Sequence, residues 1–231
     1  MNFWEKLDKP FFMLAPLADV TDAAFRRVIS KYGKPSVIYT EFVSADGLIR
    51  ADEAGKEILK KDLLYTEGER PIVAQFFTST PEYMEEAAKL AVELGFDGID
   101  INMGCPDRGV EKQGAGASLI RDEDVARELV RAAKRGAGDL PVSVKTRIGY
   151  SKNEIEEWLP ALLEEEPTTV VLHARTRREM SKVPAHWDVI KRAVEIRNEL
   201  KSKTLIVGNG DAKDLVHAEA LAHESGADGV M

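Results

Sequence analysis

Gly98-Ile99-Asp100-Ile101-Asn102-Met103-Gly104-Cys105-Pro106 is the stretch that decides how this sequence is read. Its first half has the apolar, β-branched character of a strand covered on both faces. Its second half cannot continue as a strand, because glycine permits a tight turn and proline fixes the next backbone angle. A buried strand therefore ends in a loop that carries a polar amide, Asn102, and a thiol, Cys105. The same pattern, a short apolar run capped by polar residues and followed by a helical stretch, recurs on both sides. The strand starts are read at residues 12–15, 37–42, 72–77, 98–102, 142–146, 170–173, 204–207 and 229–231.

Strands alternating with helices from one end to the other predict a parallel α/β fold, here a (β/α)8 barrel forming one domain over residues 1–231. No Ser/Gly-rich linker divides it. Thr80-Pro81 should open a helix that Gly95 closes, with Met84, Ala88, Ala91 and Val92 on one face; Asn153 is a candidate cap; Asp211 should begin a helix closed by Gly226. Pro160 is expected to kink or end an acidic helix. A barrel of this kind takes about 250 residues. The sequence stops inside the eighth strand, so the expected barrel is truncated there, without its last helix. A doubly wound open sheet is the competing architecture, but Ala15-Pro16-Leu17-Ala18-Asp19 stands where its Gly-rich dinucleotide turn belongs.

Composition narrows the function classes. Hydrophobic residues at 44% and charged residues at 31% are ordinary for a globular chain. One cysteine excludes an internal disulfide and a cysteine-based metal cluster within the chain. No apolar run is long enough for a signal peptide or membrane span, so a cytoplasmic protein is expected. The four histidines lack paired spacing, and no metal site is predicted. A net charge of −8 argues against a dedicated nucleic-acid binder, but residues 173–182 hold four Lys and Arg against one glutamate, which leaves a local basic face.

In a barrel the chemistry gathers at the C-terminal strand ends. Polar residues fill those ends in order: Asp19, Glu41, Gln75, Asn102 with Cys105, Lys145 with Arg147, His173 with Arg175, and Asn209 with Asp211. Cys105 on its Gly-Pro loop is aimed at the barrel mouth. A thiol of ordinary pKa, about 8.5, is protonated at neutral pH and suits a proton donor; the plainer reading is a small buried hydrophobe. Lys145, between Val144 and Thr146, points into the barrel by strand alternation and implies an anionic partner, although a Schiff-base lysine or a solvated strand-end lysine fits the same position. His173 and Arg175 share a face and suit a phosphate or ring carbonyl; a structurally satisfied histidine is the alternative. Asn209-Gly210-Asp211 reads as a turn whose amides open the next helix and offer an anion site, or as common loop chemistry. Gly114-Ala115-Gly116-Ala117 follows the cysteine loop rather than a strand and is read as a mobile lid.

These segments together resemble the tRNA-dihydrouridine synthase family. The resemblance is carried by residues 15–22 with Phe25-Arg26, Val73-Ala74-Gln75, 100–106, Val144-Lys145-Thr146-Arg147, His173-Ala174-Arg175-Thr176 and Gly208-Asn209-Gly210-Asp211, and spans essentially the whole chain. It implies an FMN-dependent barrel oxidoreductase, a flavoprotein that reduces the uracil C5–C6 bond of uridines in tRNA with NADPH as electron source. Cys105 would give the proton to C5. FMN would be touched by Pro16, Leu17, Ala18, Gln75, Lys145, His173, Asn209, Gly210 and Asp211. Asn102 would orient the uracil, and Arg147, Arg175, Arg177 and Arg178 would serve the RNA, whose target base must leave its stack to reach the pocket. Leu17 departs from the family's usual methionine. The sequence also ends before the family's Gly-Arg phosphate element and helical C-terminal domain, from which weaker FMN and tRNA binding is expected. The rival readings are an FMN barrel acting on a free pyrimidine, a lysine aldolase using Lys145, and a non-catalytic RNA-binding remnant.

Overall fold

A computed structural model describes residues 2–231. Eight parallel strands pair in chain order and close into a barrel: β1 (Phe11–Leu14), β2 (Val37–Ser44), β3 (Ile72–Phe77), β4 (Gly98–Met103), β5 (Val142–Arg147), β6 (Thr169–His173), β7 (Leu205–Asn209) and β8 (Gly229–Val230). Closure is made by β8 against β1, where Phe11 pairs with Gly229 and Phe12 with Val230. The helices are α1 (Ala23–Tyr32), α2 (Ala45–Arg50), α3 (Glu53–Lys60), α4 (Pro81–Glu93), α5 (Arg108–Glu111), α6 (Glu123–Ala137), α7 (Ile155–Leu163), α8 (Trp187–Glu199) and α9 (Leu215–Ser225). Among the described residues no helix is long and apolar enough to cross a membrane.

Strand alternation sorts the side chains into two environments. Ile72, Ala74, Phe76, Ile99, Ile101, Val142, Val144, Val170, Leu172 and Ile206 belong to the large apolar cluster between sheet and helices. The inward residues are apolar only in the lower barrel, where Trp4, Phe11, Met13, Val37, Tyr39, Val73, Val171 and Val207 form a separate cluster. Above it lie Gln75, Asp100, Asn102, Ser143, Lys145, Arg147, His173 and Asn209. The helix-facing residues thus give the strands their apolar look in sequence, while the other face changes from dry to polar toward the strand C-termini.

Several local expectations are corrected. Met84, Ala87, Ala88 and Ala91 form the buried face of α4, whereas Val92 is exposed. Asn153 accepts from Ile155 N–H but sits one residue before the N-cap of α7, and the helix runs through Pro160 to Leu163 instead of ending there. Asp211 does not begin a helix: α9 starts at Leu215 with Asp214 capping His217 N–H, so the amides of Asn209-Gly210-Asp211 do not open it. Gly226 does close α9, in left-handed geometry. Residues 114–117 are not a lid. Ala115, Gly116 and Ala117 are buried, and Ala117 N–H donates to the Cys105 carbonyl at 2.9 Å, making a clasp beneath the cysteine loop.

Candidate active site

A cavity of ≈ 480 Å³ opens at the C-terminal ends of the strands. It is lined by Ala15, Pro16, Leu17 and Ala18 from the loop after β1, Phe42, Gln75, Asn102, Gly104, Cys105, Pro106, Lys145, Thr146, Arg147, His173 and Asn209. Of the residues singled out from sequence, Pro16, Leu17, Ala18, Gln75, Asn102, Cys105, Lys145, Arg147, His173 and Asn209 converge on it. Gly210, Asp211, Arg175, Arg177 and Arg178 lie outside its lining. A larger depression of ≈ 930 Å³ occupies the opposite end of the barrel, but its Lys and Glu side chains are spread over surface loops, and the buried hydroxyl in its lining, Thr204, is already bonded to the Pro167 carbonyl and Ser202.

Phe42 is the lining residue that sequence reasoning missed, and a bulge explains it. Tyr39 pairs with Val73 but Phe42 pairs with Gln75, so β2 spends three residues where β3 spends two. The extra residue turns Phe42 inward, where it meets Phe77 edge-on at 5.8 Å between ring centroids. Glu41 is displaced toward the loop after β1, where its Oε1 accepts from Asp19 N–H at 2.6 Å. Thr21 fastens the same loop by accepting from Leu17 N–H at 2.9 Å. Below it, the fully buried Arg26 donates to the Thr21 carbonyl at 2.8 Å and pairs with buried Glu69 at 2.9 Å, anchoring α1 and the loop together.

The cysteine loop is held from three sides. Asn102 Oδ1 accepts from the backbone N–H of Gly104 at 3.1 Å and of Cys105 at 2.9 Å. Arg147 Nε donates to the Gly104 carbonyl at 2.7 Å, and its Nη1 reaches the Thr176 carbonyl. Arg177 pairs with Glu111 of α5 and donates to the Pro106 carbonyl. The Tyr150 ring meets two guanidinium groups, that of Arg121 at 4.1 Å from its centroid and that of Arg177 at 5.5 Å. Burial pushes the Cys105 thiol above its usual range; the Asp107 backbone N–H and the charge of Arg147 pull it down, and the carboxylates of Asp107 and Glu111 push it up. The thiol is protonated at neutral pH.

Across the cavity, Lys145 Nζ donates to Asn209 Oδ1 at 3.1 Å, and Asn209 Nδ2 donates to the Met231 carbonyl at 2.8 Å. Burial, with Arg147 nearby, brings the Lys145 amine down to about 8. His173 Nε2 lies 3.2 Å from Arg175 Nη1. A guanidinium can only donate, so Nε2 accepts and the imidazole is neutral with its proton on Nδ1. Burial and the charges of Arg147, Lys145 and Arg175 hold His173 at about 3. Arg147 is itself lowered to about 10 by burial and by Arg175 and Arg177. Arg175 is committed to the Val183 carbonyl and to Asp211, which also accepts from Ala185 N–H. Arg178 is exposed.

Cavity, thiol and closed barrel together define an enzyme of the parallel β/α barrel class with its chemistry at the strand C-termini. The family model described as Dihydrouridine synthase (Dus) matches residues 13–231. The probable tRNA-dihydrouridine synthase 2 of Bacillus subtilis (strain 168) is 46% identical over all of this chain and 70% of its own length; the probable tRNA-dihydrouridine synthase of Staphylococcus aureus (strain COL) is 43% identical over all of this chain and 69% of its own. The chain belongs to the dihydrouridine synthase family, and is an oxidoreductase acting on CH–CH bonds. Among solved structures, morphinone reductase in complex with tetrahydroNAD aligns with a TM-score of 0.63 at 13% identity, over 99% of this chain and 84% of that one. Histamine dehydrogenase from Rhizobium sp. 4-9 aligns at 0.66 and 16% identity, over 94% and 43%. These two likenesses show the fold.

Proposed function

We propose that this chain is a cytoplasmic FMN-dependent tRNA-dihydrouridine synthase that reduces the C5–C6 bond of uridine in tRNA with NADPH as electron source. The observation that carries the reading is the placement of a protonated thiol, Cys105, on the same cavity as a buried amine, Lys145, in a chain of the dihydrouridine synthase family.

The lining fits a flavin. Pro16, Leu17, Ala18 and Phe42 offer apolar surface for a flat ring, while Gln75, Lys145, His173 and Asn209 offer donors and acceptors for its polar edge, within the usual ligand-pocket range of about 300–1,000 Å³. FMN, when bound, supplies hydride to C6 of the uracil. Cys105 holds its proton until C5 develops negative charge and then gives it up, and burial, by moving the thiol further above neutral pH, helps keep that proton in place beforehand. Lys145 offers positive charge toward the flavin edge, and neutral His173 offers hydrogen bonding without a second charge there. Gly210 and Asp211 lie behind Asn209 and outside the lining, so their assignment to FMN rests on the family likeness alone. Asn102 has one N–H bonded to Gln75 and a second to present to the uracil. Arg147 faces the cavity beside the thiol; of the other arginines assigned to the RNA backbone, Arg178 is exposed and Arg177 is half-buried against Glu111, whereas Arg175 is buried and held by Asp211 and the Val183 carbonyl, so its part is to shape the site and not to meet phosphate.

The test is to incubate purified protein with FMN, remove unbound ligand and record the flavin band, then measure dihydrouridine formed in unmodified tRNA with NADPH. Cys105→Ala is expected to keep the flavin band and lose product. Product from a free pyrimidine but not from tRNA would overturn the reading.

A further inference from the structure

Below the cavity, a chain of buried hydrogen bonds crosses three strands and ends at the cysteine loop. Ser143 Oγ donates to Asp100 Oδ1 at 2.6 Å, and Gln75 Nε2 donates to Asp100 Oδ2 at 2.7 Å. Asn102 Nδ2 donates to Gln75 Oε1 at 3.1 Å, and Asn102 Oδ1 receives the N–H groups of Gly104 and Cys105. Tyr39 Oη lies 3.4 Å from Ser143 Oγ at the far end. Asp100 does not line the cavity and is fully buried.

Each side-chain amide has one accepting and one donating end, so two amides in series transmit an order. The backbone N–H groups of Gly104 and Cys105 can only donate and demand the Asn102 oxygen. Asn102 must then give its NH2 to Gln75, whose own NH2 is left to find an acceptor. In the barrel interior that acceptor is Asp100. We propose that Asp100 is a positioning residue for Cys105: by accepting from Gln75 it fixes the order of the Gln75 and Asn102 amides and holds the thiol-bearing loop in place. The consequence for catalysis rests on the assignment of Cys105 as proton donor; the consequence for the loop does not.

Burial raises Asp100 to about 7, against the pull of Ser143, Gln75 and Lys145. The order survives protonation, because the acid hydrogen can turn to Ser143 Oγ while the other oxygen still accepts from Gln75. An asparagine at position 100 can do the same with its NH2. Acceptor geometry, not charge, is what the chain requires.

Cys105 is the only cysteine, so its alkylation by iodoacetamide in the flavin-free protein reports the loop directly. Asp100→Leu is expected to speed alkylation about tenfold, the factor for one hydrogen bond lost from the loop. Asp100→Asn should stay within about twofold of the parent, since its amide supplies the same acceptor. Val171→Ala, in the same interior but outside the chain, controls for loosening of the barrel as a whole, and should leave the rate near that of the parent despite a lower unfolding temperature. The proposal is overturned if Asp100→Leu reacts at the parent rate, if Asp100→Asn reacts as fast as Asp100→Leu, or if Val171→Ala matches their acceleration at equal loss of stability. If Asp100→Leu does not fold, Gln75→Met breaks the chain one link nearer the thiol: faster alkylation supports the proposal and an unchanged rate overturns it. Failure to reduce tRNA would sink the functional assignment without altering any of these rates.

Discussion

Replacing Gly116 by alanine should damage the fold and the cysteine loop together. Gly116 has φ +62°, and an added Cβ would lie 2.6 Å from the Cys105 carbonyl oxygen and 2.8 Å from Val110 Cγ1. The carbonyl cannot simply withdraw, because it accepts the Ala117 N–H at 2.9 Å. Left-handed backbone costs alanine about 1–2 kcal/mol. Overpacking of a tight site adds about 1–3 kcal/mol. Losing the clasp hydrogen bond adds about 1 kcal/mol. The sum is about 3–6 kcal/mol, a large part of the stability of an ordinary domain. Gly226→Ala is the control: φ is +74° and the nearest atom an ordinary 3.7 Å away, so only the backbone cost of about 1–2 kcal/mol applies. Urea unfolding of the two variants, with iodoacetamide labelling of Cys105, separates strain from clash. Equal destabilisation by the two, or unchanged labelling in Gly116→Ala, would refute the clasp.

Three further outcomes follow from the same geometry. His173 stays neutral in the fold down to about 3 but takes a proton near 6.5 when unfolded, so the unfolded state binds more protons across that window and stability falls as pH falls through it. At pH 5 the loss is about 2 kcal/mol relative to pH 7.5, and urea titrations should show it absent in His173→Gln. Arg26→Met strands buried Glu69 and should cost about 3–5 kcal/mol in urea unfolding, with Arg26→Met/Glu69→Gln recovering part of the loss. Arg177→Ala releases Glu111 and the Pro106 carbonyl, and should cost about 1–2 kcal/mol in unfolding while speeding Cys105 alkylation.

The barrel was legible because each strand hides its outward face beneath helices, so runs such as Ile72–Phe77 and Val142–Arg147 announce themselves by apolar content and β-branching. Much of the site was legible for a related reason: a polar residue within such a run, as with Lys145 or Asn102, has nowhere to point but the interior. What escaped depends on spacing that no single segment contains. The bulge that turns Phe42 inward appears only when β2 is laid against β3. The clasp at Gly116 is defined by a carbonyl eleven positions earlier in the chain, and its small residues fit a mobile loop equally well. Asp211 looked like a helix cap because Asp commonly is one, yet Arg175 and Ala185 N–H claim its oxygens while Asp214 takes the cap. Asp100 sits in plain view beside Asn102, but its bonding to Gln75 and Ser143 follows from barrel register alone.

That register also explains why the interior is lopsided. The Gly104 and Cys105 N–H groups leave the end of β4 without strand partners, and an unpaired donor near a cavity must find an acceptor or water. Asn102 supplies the acceptor from below, but an amide so used leaves a donor that needs its own acceptor, and the demand passes through Gln75 to Asp100 and Ser143. The polar chain therefore runs through β3, β4 and β5, directly beneath the thiol, while β6 and β7 keep Val171 and Val207 at the neighbouring interior positions. Burying a carboxylate there costs stability, as the rise of Asp100 to about 7 records. The cost falls on the side of the barrel where a fixed loop position has a chemical use.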